Sequence, residues 1–242
     1  VLEKIKYDFV INLAGYVDHS NKKKTLKSHY YGCKNLFRIF NNSKIKKFVQ
    51  MGSSGEYGNL KSPHYEAFDA KPLTVYNQAK KKASDFLLNM YKNLNFPVTI
   101  VRPYLGYGPY QDLNRFIPIV ITGCIDKKRF DLSHCNQFRD FIYIDDLINL
   151  IIKVLKNKRS NGEIINVGSS KPVRLKAIVN KIKKLVKGGT PLYGKKSLRK
   201  DEGNKIYPNI NKAKKLLKWK QKTSINQGIY KTVKYYKNTF KN

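Results

Sequence analysis

The chain has 242 residues, of which 41% are hydrophobic and 12% aromatic, and this composition excludes an intrinsically disordered protein. Lys and Arg total 49 against 16 Asp and Glu, giving a formal net charge of +33 that by itself favours nucleic acid or an anionic surface as a partner. The positive charge is mostly lysine and is spread along the chain without an arginine-rich arm. We therefore expect an anionic small substrate rather than nucleic acid.

The sequence contains no segment that we expect to cross a membrane. The most apolar stretch, residues 141–155, is interrupted by charged side chains such as Asp145 and Lys153. The first residues lack the basic-then-apolar layout of a secretory signal. Three cysteines stand at irregular spacing and cannot all pair, which favours reduced thiols in a cytoplasmic protein.

Short apolar runs alternate with longer amphipathic stretches in the first part of the chain, as in a parallel sheet covered by helices. The helices are expected at 25–41 and from Pro72 to about residue 93. The strands are expected at 9–14, 47–51, 98–101 and 162–167. Runs of this kind are typical of strands that are buried on both faces.

Beyond Gly108 the segments become shorter, and the pattern allows a hairpin around 130–142 and helices at 177–186 and 225–236. We predict a Rossmann-type doubly wound parallel α/β sheet with a smaller C-terminal substrate-binding lobe. The sheet domain would comprise residues 1–108 with 143–170 returning to it, and the lobe residues 109–142 and 171–242.

No GxGxxG motif occurs, and no Gly-rich turn follows the first strand to open a helix, as a pyrophosphate site would need.

The strongest chemical signal is Tyr76 followed by Lys80. Residues four apart share one helix face, so the ammonium can lie beside the phenol and lower its pKa. Ser53, at the end of the adjacent strand, can hydrogen-bond the same substrate oxygen. Such a group can move a proton from a hydroxyl while a hydride leaves its carbon. The histidines share no metal-ligand spacing with the cysteines, so no metal site is predicted.

Several motifs in order resemble the extended short-chain dehydrogenase/reductase family, in its NAD-dependent nucleotide-sugar epimerase/dehydratase branch. The first is 10–15, which looks like the family's fourth strand, and the next are 53–58 and the pair Tyr76 and Lys80. The others lie at 102–109, 139–146, 166–169, 199–202 and 216–219. The similarity covers nearly the whole chain.

The resemblance implies an enzyme in which Tyr76 takes the proton of a sugar hydroxyl, hydride passes to NAD or NADP, and Ser53 steadies the reacting oxygen. Lys80 would lower the Tyr76 pKa and hold the nicotinamide ribose. The remaining cofactor contacts would come from Leu13, Ala14, Gly15 and Tyr104, and the substrate contacts from Ser54, Arg139 and Arg199. Both arginines would pair with the diphosphate of a nucleotide sugar. For Arg139, a structural pair with Asp140 or Asp145 is the alternative.

The residues after Ser53 narrow the reaction class that the resemblance implies. Dehydratases of the family carry an acid one or two places after the catalytic hydroxyl, whereas Ser54 and Gly55 stand there and Glu56 comes one step later. The resemblance therefore favours an epimerase similar to UDP-glucose 4-epimerase. A nucleotide-4-keto-sugar reductase similar to CDP-abequose synthase, and a non-catalytic remnant of such an enzyme, remain open.

The resemblance also implies an assembly and a longer chain. Helices 25–41 and 72–93 resemble the pair through which family members form homodimers. We expect a nucleotide-diphosphate sugar as partner and a role in polysaccharide biosynthesis. We also expect about 60–70 residues before Val1, since one βαβ unit takes ~30 residues and two βα units would be N-terminally missing.

Overall fold

The computed structural model describes residues 6–16, 18, 20–198 and 203–240. In chain order its strands are β1 (Phe9–Asn12), β2 (Lys47–Met51), β3 (Val98–Pro103), β4 (Leu105–Tyr107), β5 (Arg129–Asp131), β6 (Phe138–Arg139), β7 (Phe141–Tyr143), β8 (Ile164–Val167), β9 (Val173–Arg174), β10 (Thr190–Leu192) and β11 (Lys205–Ile206). The helices are α1 (Lys22–Leu26), α2 (Gly32–Phe40), α3 (Val75–Leu94), α4 (Phe116–Ile125), α5 (Ile144–Leu155), α6 (Leu175–Val186), α7 (Asn211–Leu217) and α8 (Ile225–Thr239).

The central sheet is parallel, with the strand order β1-β2-β3-β8. Successive residues of its strands point to opposite faces. Phe48 and Ile100 pack under α2 and α3 on one face, whereas Val49 and Val101 pack against α5 and α7 on the other, where Trp219 is fully buried. Helices on both faces of a parallel sheet confirm the predicted Rossmann-type fold class.

Local capping sets the bounds of α3, the helix that carries Tyr76. It begins at Val75 rather than at Pro72, because the Thr74 side chain accepts a hydrogen bond from the Asn77 amide and so caps the first turn. It ends where Asn95 adopts a left-handed conformation with φ 54°. The predicted helix 25–41 is instead α1 and α2 joined by a π-helical turn, Lys27–Tyr31.

The rest of the chain builds a second core around α4, α6 and α8, next to the parallel pair β4 and β7. The prediction of a hairpin around 130–142 is wrong. Strand β5 pairs in parallel with β10, while β6 pairs with β9 and β11. The assignment of 109–142 and 171–242 to a separate lobe stays a prediction. Within the described part of the chain, every helix is too short or too polar to cross a bilayer.

Candidate active site

Ser53 lies just beyond the carboxyl end of β2, where it caps a four-residue 3₁₀ turn, Ser54–Tyr57. Its hydroxyl accepts a hydrogen bond from the Gly55 amide at 3.1 Å, and its own amide donates to Glu56 Oε1 at 2.8 Å. These reciprocal bonds form a capping box that fixes the serine. Gly52, Gly55 and Gly58 have GxxGxxG spacing, but they shape this short turn and do not open a helix that could bind a pyrophosphate.

The structure brings Tyr76 and Lys80 to Ser53. Tyr76 is hydrogen-bonded to the Ser53 side chain. The Lys80 ammonium donates to the carbonyl of Met51, the last residue of β2, at 2.8 Å, and lies 5.9 Å from the centroid of the Tyr76 ring. The side chain of Lys80 is 5% exposed. The three residues expected to carry the chemistry therefore meet at the end of one strand.

The electrostatics of Tyr76 differ from the sequence-based expectation. Burial raises the pKa of the phenol, and the negative charge of Glu56 raises it further. The hydrogen bond from Ser53 and the positive charge of Arg115 lower the pKa, but less than burial raises it. Burial also lowers the pKa of Lys80, which the Glu56 charge opposes. The phenol of the structure as it stands is therefore held protonated, and Lys80 does not bring its pKa below the ordinary value.

His29 forms one wall of this site. Its ring meets the Tyr76 ring edge-on, with centroids 5.0 Å apart and planes at 79°, and its Nε2 lies 3.2 Å from the Tyr16 carbonyl. The π-helical turn places the imidazole there. Gly15 touches the other side of the ring, because a Cβ on Gly15 would lie 2.0 Å from His29 Cε1. Only glycine can occupy position 15 while His29 keeps this position.

The residues at the carboxyl edge of the sheet fit a dinucleotide, since parallel α/β sheets bind such ligands there. Leu13, Ala14 and Gly15 follow β1 at this edge and are exposed, Leu13 to 66%. The Lys80 ammonium has three N–H donors, and Met51 uses one of them. Tyr104 fits less well, because its side chain is 4% exposed and its hydroxyl lies 2.8 Å from His64 Nδ1, so its contact with a cofactor stays a prediction.

Behind Ser53 lies a buried ion pair that sequence reasoning missed. Arg102 Nε and Nη2 donate to Glu56 Oε2 at 3.0 and 2.7 Å, and both side chains are essentially unexposed. The guanidinium carbon lies 4.7 Å from the centroid of the Tyr57 ring, whose hydroxyl donates to Asn166 Oδ1 on β8. The pair therefore ties the ends of three central strands together. Arg102 directly follows the predicted strand 98–101, but no local pattern in the sequence pairs it with Glu56.

A cleft of about 510 Å³ opens beside the serine turn. Ser54 and Arg139 both line it, as expected for substrate contacts. Arg139 is 6% exposed, and its Nη1 donates to the Phe138 carbonyl at 2.8 Å. Arg199 lies outside the described residues. Polar lining residues that the sequence analysis did not single out are Asn77, Gln111, Asn114, Arg115, Asp131, Ser133, Gln137, Lys196 and Ser197.

Asp140, which the sequence analysis names as an alternative partner for Arg139, accepts hydrogen bonds from other groups. Its carboxylate accepts hydrogen bonds from the Ser169 amide and hydroxyl and from the Lys171 amide, at 2.6, 2.9 and 3.1 Å. Burial nevertheless raises the pKa of Asp140 to about 6.

Among the described residues, the structure contains no group of three or more His, Cys, Asp and Glu side chains that could hold a metal ion.

The chain is similar in sequence and in fold to known nucleotide-sugar enzymes. The model of a family described as "NAD dependent epimerase/dehydratase family" matches residues 1–168. The chain is 30% identical over 220 residues to UDP-glucuronate 4-epimerase of Thermodesulfobacterium geofontis, a match covering 87% of this chain and 65% of that protein. It is 26% identical over 260 residues to Protein CapI of Staphylococcus aureus, covering 97% of this chain and 77% of that protein.

A solved structure shows the same fold. UDP-glucuronic acid 4-epimerase from Bacillus cereus, in complex with UDP-glucuronic acid and NAD, superposes with a TM-score of 0.90 at 25% identity. The match covers 96% of this chain and 76% of that structure. The chain thus spans between 65% and 77% of the length of these three proteins.

Proposed function

Because this chain belongs to the NAD-dependent epimerase/dehydratase family, we propose that it is the catalytic and substrate-binding part of a nucleotide-sugar 4-epimerase. The observation that carries the proposal is the convergence of Ser53, Tyr76 and Lys80 at the end of β2, beside a cleft of about 510 Å³. The 30% identity to a UDP-glucuronate 4-epimerase supports the same reaction class.

Each of the three residues has a distinct role in this proposal. Tyr76 removes the proton of the sugar 4-hydroxyl as hydride leaves C4, and returns it to the same oxygen when hydride reaches the opposite face of the ketone. Ser53 donates a hydrogen bond to that oxygen. As a base Tyr76 must be a phenolate, which the Lys80 ammonium, 5.9 Å from the centroid of its ring, would stabilise against the burial that raises the pKa of the phenol. The dinucleotide, NAD or NADP, supplies the hydride acceptor when it is bound next to Leu13, Ala14 and Gly15.

The structure argues against the dehydratase reaction, although dehydratases are among the relatives. The dTDP-D-glucose 4,6-dehydratase of Homo sapiens is 26% identical over 220 residues. Water elimination needs an additional acid near the reacting carbon, and Glu56 is the acidic residue that follows Ser53. Its carboxylate is fully buried and is engaged by Arg102 and by the Ser53 amide. It therefore cannot exchange a proton with a sugar.

Reduction of a 4-keto sugar is the second candidate function. A reductase of this kind needs a protonated tyrosine that donates its proton to the developing alkoxide. The raised pKa of Tyr76 keeps the phenol in that form at neutral pH. A reductase would consume reduced cofactor in proportion to product, whereas an epimerase leaves the cofactor unchanged after each turnover. The two are therefore separable by following the absorbance of NADH or NADPH.

The test is to incubate the purified full-length protein with NAD and UDP-glucose or UDP-glucuronate, and to analyse the sugars by NMR. We expect the C4 epimer from the wild-type chain and none from Tyr76→Phe, with nucleotide-sugar binding kept. Tyr230→Phe, which alters an exposed tyrosine, is the matched control and should behave as wild type. Turnover that survives in Tyr76→Phe would overturn the mechanism. Binding without turnover in the wild type would favour a non-catalytic remnant.

We also propose a cytoplasmic homodimer. Cys33 and Cys124 are buried free thiols, which fits a reducing compartment. The α2–α3 pair resembles the dimer-forming helices of the family, and Tyr31, at the start of α2, is half exposed. Tyr31→Glu should shift the chain towards monomer in sedimentation at micromolar concentration. A mass that already corresponds to one chain in the wild type would contradict the dimer.

A further inference from the structure

The backbone of Gly55 lies against the side chain of Asn77. A Cβ built on Gly55 would stand 2.2, 2.6 and 2.7 Å from Oδ1, Cγ and Nδ2 of Asn77, so the carboxamide occupies the space that a side chain at position 55 would fill. Gly55 belongs to the 3₁₀ turn that Ser53 caps, and Asn77 directly follows Tyr76 on α3. The contact therefore joins the two segments that carry the reacting residues.

The polar atoms of the Asn77 carboxamide are available to a ligand. The backbone amide of Asn77 donates to Thr74 Oγ1, but within the described part of the chain its side chain forms no hydrogen bond. Neither side-chain polar atom is sealed from water, and the side chain lines the cleft beside Ser54. A carboxamide offers two N–H donors and one carbonyl acceptor, and all of them can therefore be used by a molecule in the cleft.

The position of the carboxamide determines which part of a substrate it can reach. The Ser53 hydroxyl accepts a hydrogen bond from the Gly55 amide at 3.1 Å, so the carboxamide covers the residue that fixes the reacting hydroxyl. In the proposed function, a sugar whose 4-hydroxyl is held by Ser53 and Tyr76 extends from there into the cleft. The groups that flank C4 are then the first parts of the sugar to pass Asn77.

We propose that Asn77 is a substrate-binding residue that determines specificity by hydrogen-bonding a neutral sugar hydroxyl that flanks the reacting carbon. The proposal rests on the proposed function and adds to it a contact that orients the sugar. A hydroxyl both donates and accepts hydrogen bonds, and so does an uncharged carboxamide, so the two groups match without burying a charge. In a glucose unit this hydroxyl is carried on C3 or on C6.

The experiment is calorimetric titration of the full-length protein, in the Tyr76→Phe background that prevents turnover, with UDP, UDP-glucose, UDP-3-deoxyglucose and UDP-6-deoxyglucose. We expect Asn77→Ala to weaken UDP-glucose binding roughly five- to tenfold, as for one neutral hydrogen bond, and to leave UDP binding unchanged. One of the two deoxy analogues should already bind more weakly by that factor, and Asn77→Ala should not weaken it further. Asn93→Ala is the matched control, because Asn93 is exposed at the other end of α3 and lies outside the cleft.

Two further variants separate hydrogen bonding from packing. Asn77→Leu fills a similar volume against Gly55 but cannot form hydrogen bonds, so it should lose UDP-glucose affinity as Asn77→Ala does. Gly55→Ala should lose the same affinity, because the new Cβ would displace the carboxamide. In the Asn77→Ala background, Gly55→Ala should cause no additional loss, since both changes remove one contact.

Each failure has a distinct meaning. UDP-glucose binding that is unchanged in Asn77→Ala, or that Asn77→Leu restores, would overturn the role of Asn77 and leave the epimerase proposal standing. Equal weakening of UDP and UDP-glucose by Asn77→Ala would also overturn that role, because the carboxamide would then act on the nucleotide. A full-length protein that binds neither UDP nor UDP-glucose would overturn the proposed function itself.

Discussion

Glu56 and Arg102 form a buried ion pair directly behind Ser53, with Arg102 Nη2 2.7 Å from Glu56 Oε2. The second carboxylate oxygen accepts the Ser53 amide at 2.8 Å, so the pair connects the end of β3 to the turn that follows β2. Neither side chain is exposed to water. The position of the reacting serine therefore depends on two charges that must both be present.

Removal of one charge should be much more costly than removal of both. We expect Glu56→Gln to lower the free energy of unfolding by about 3–5 kcal/mol, because it leaves the Arg102 guanidinium buried without a counter-charge. Urea unfolding monitored by circular dichroism measures this change.

The double variant Glu56→Gln/Arg102→Met tests the reason for that loss. It should be more stable than Glu56→Gln alone, since it buries no unpaired charge. Asp85→Asn, which breaks the exposed pair of Asp85 with Lys81, is the control and should cost less than about 1 kcal/mol. A double variant that is no more stable than Glu56→Gln alone would contradict the explanation.

Lys47 should make stability depend on pH. Lys47 is 1% exposed, and its ammonium donates to oxygens of Thr99, Asn157, Ser160 and Asn161. Burial lowers the Lys47 pKa from 10.5 to about 8. Between these values the unfolded chain binds more protons than the folded one, so this group should raise stability as pH increases, by about 3 kcal/mol over the window.

The comparison protein for this prediction is Lys47→Met. Unfolding of both proteins is measured from pH 7 to pH 10, and the difference isolates Lys47 from the cysteines and tyrosines that titrate in the same range. We expect the wild type to gain stability relative to the variant as pH rises through about 8. A difference that does not change with pH would show that the Lys47 pKa is close to its ordinary value.

Gly15→Ala should disturb the site through His29. The new Cβ would lie 2.0 Å from His29 Cε1, so the imidazole must leave its edge-on contact with Tyr76. We expect a loss of about 1–3 kcal/mol of stability and a shift of the His29 ring signals in NMR spectra. Gly106→Ala is the matched control, because the nearest atom to its Cβ would be 4.0 Å away on Leu147. Equal effects of the two substitutions would refute the contact.

Arg139→Ala should weaken the binding of UDP and UDP-sugars alike, by roughly ten- to a hundredfold, because a charge-assisted contact to the diphosphate is lost. Calorimetry measures the affinity, and urea unfolding shows whether the fold has changed. Arg38→Ala, on the exposed face of α2, should alter neither. If Arg139→Ala lowers stability and leaves affinity unchanged, the arginine is structural and does not bind substrate.

The sequence alone predicted the elements that depend on local pattern. The prediction of strand 47–51 has the bounds that the structure shows, because a short run containing Phe48, Val49 and Met51 is followed directly by a glycine turn. The spacing of Tyr76 and Lys80 required a shared helix face, and α3 provides it. The order of the motifs was sufficient to identify the family.

Only the tertiary structure decided the contacts between residues that are distant in sequence. Glu56 and Arg102 are 46 positions apart, and the sequence gives no sign that they pair. The segment around 130–142 was expected to fold back on itself, but β5 pairs with β10 because the packing of α4 and α6 brings those strands together. Asn77 likewise meets Gly55 only after folding. Helices and strands follow from local periodicity, whereas the charge around the phenol is set by long-range packing that no local pattern encodes.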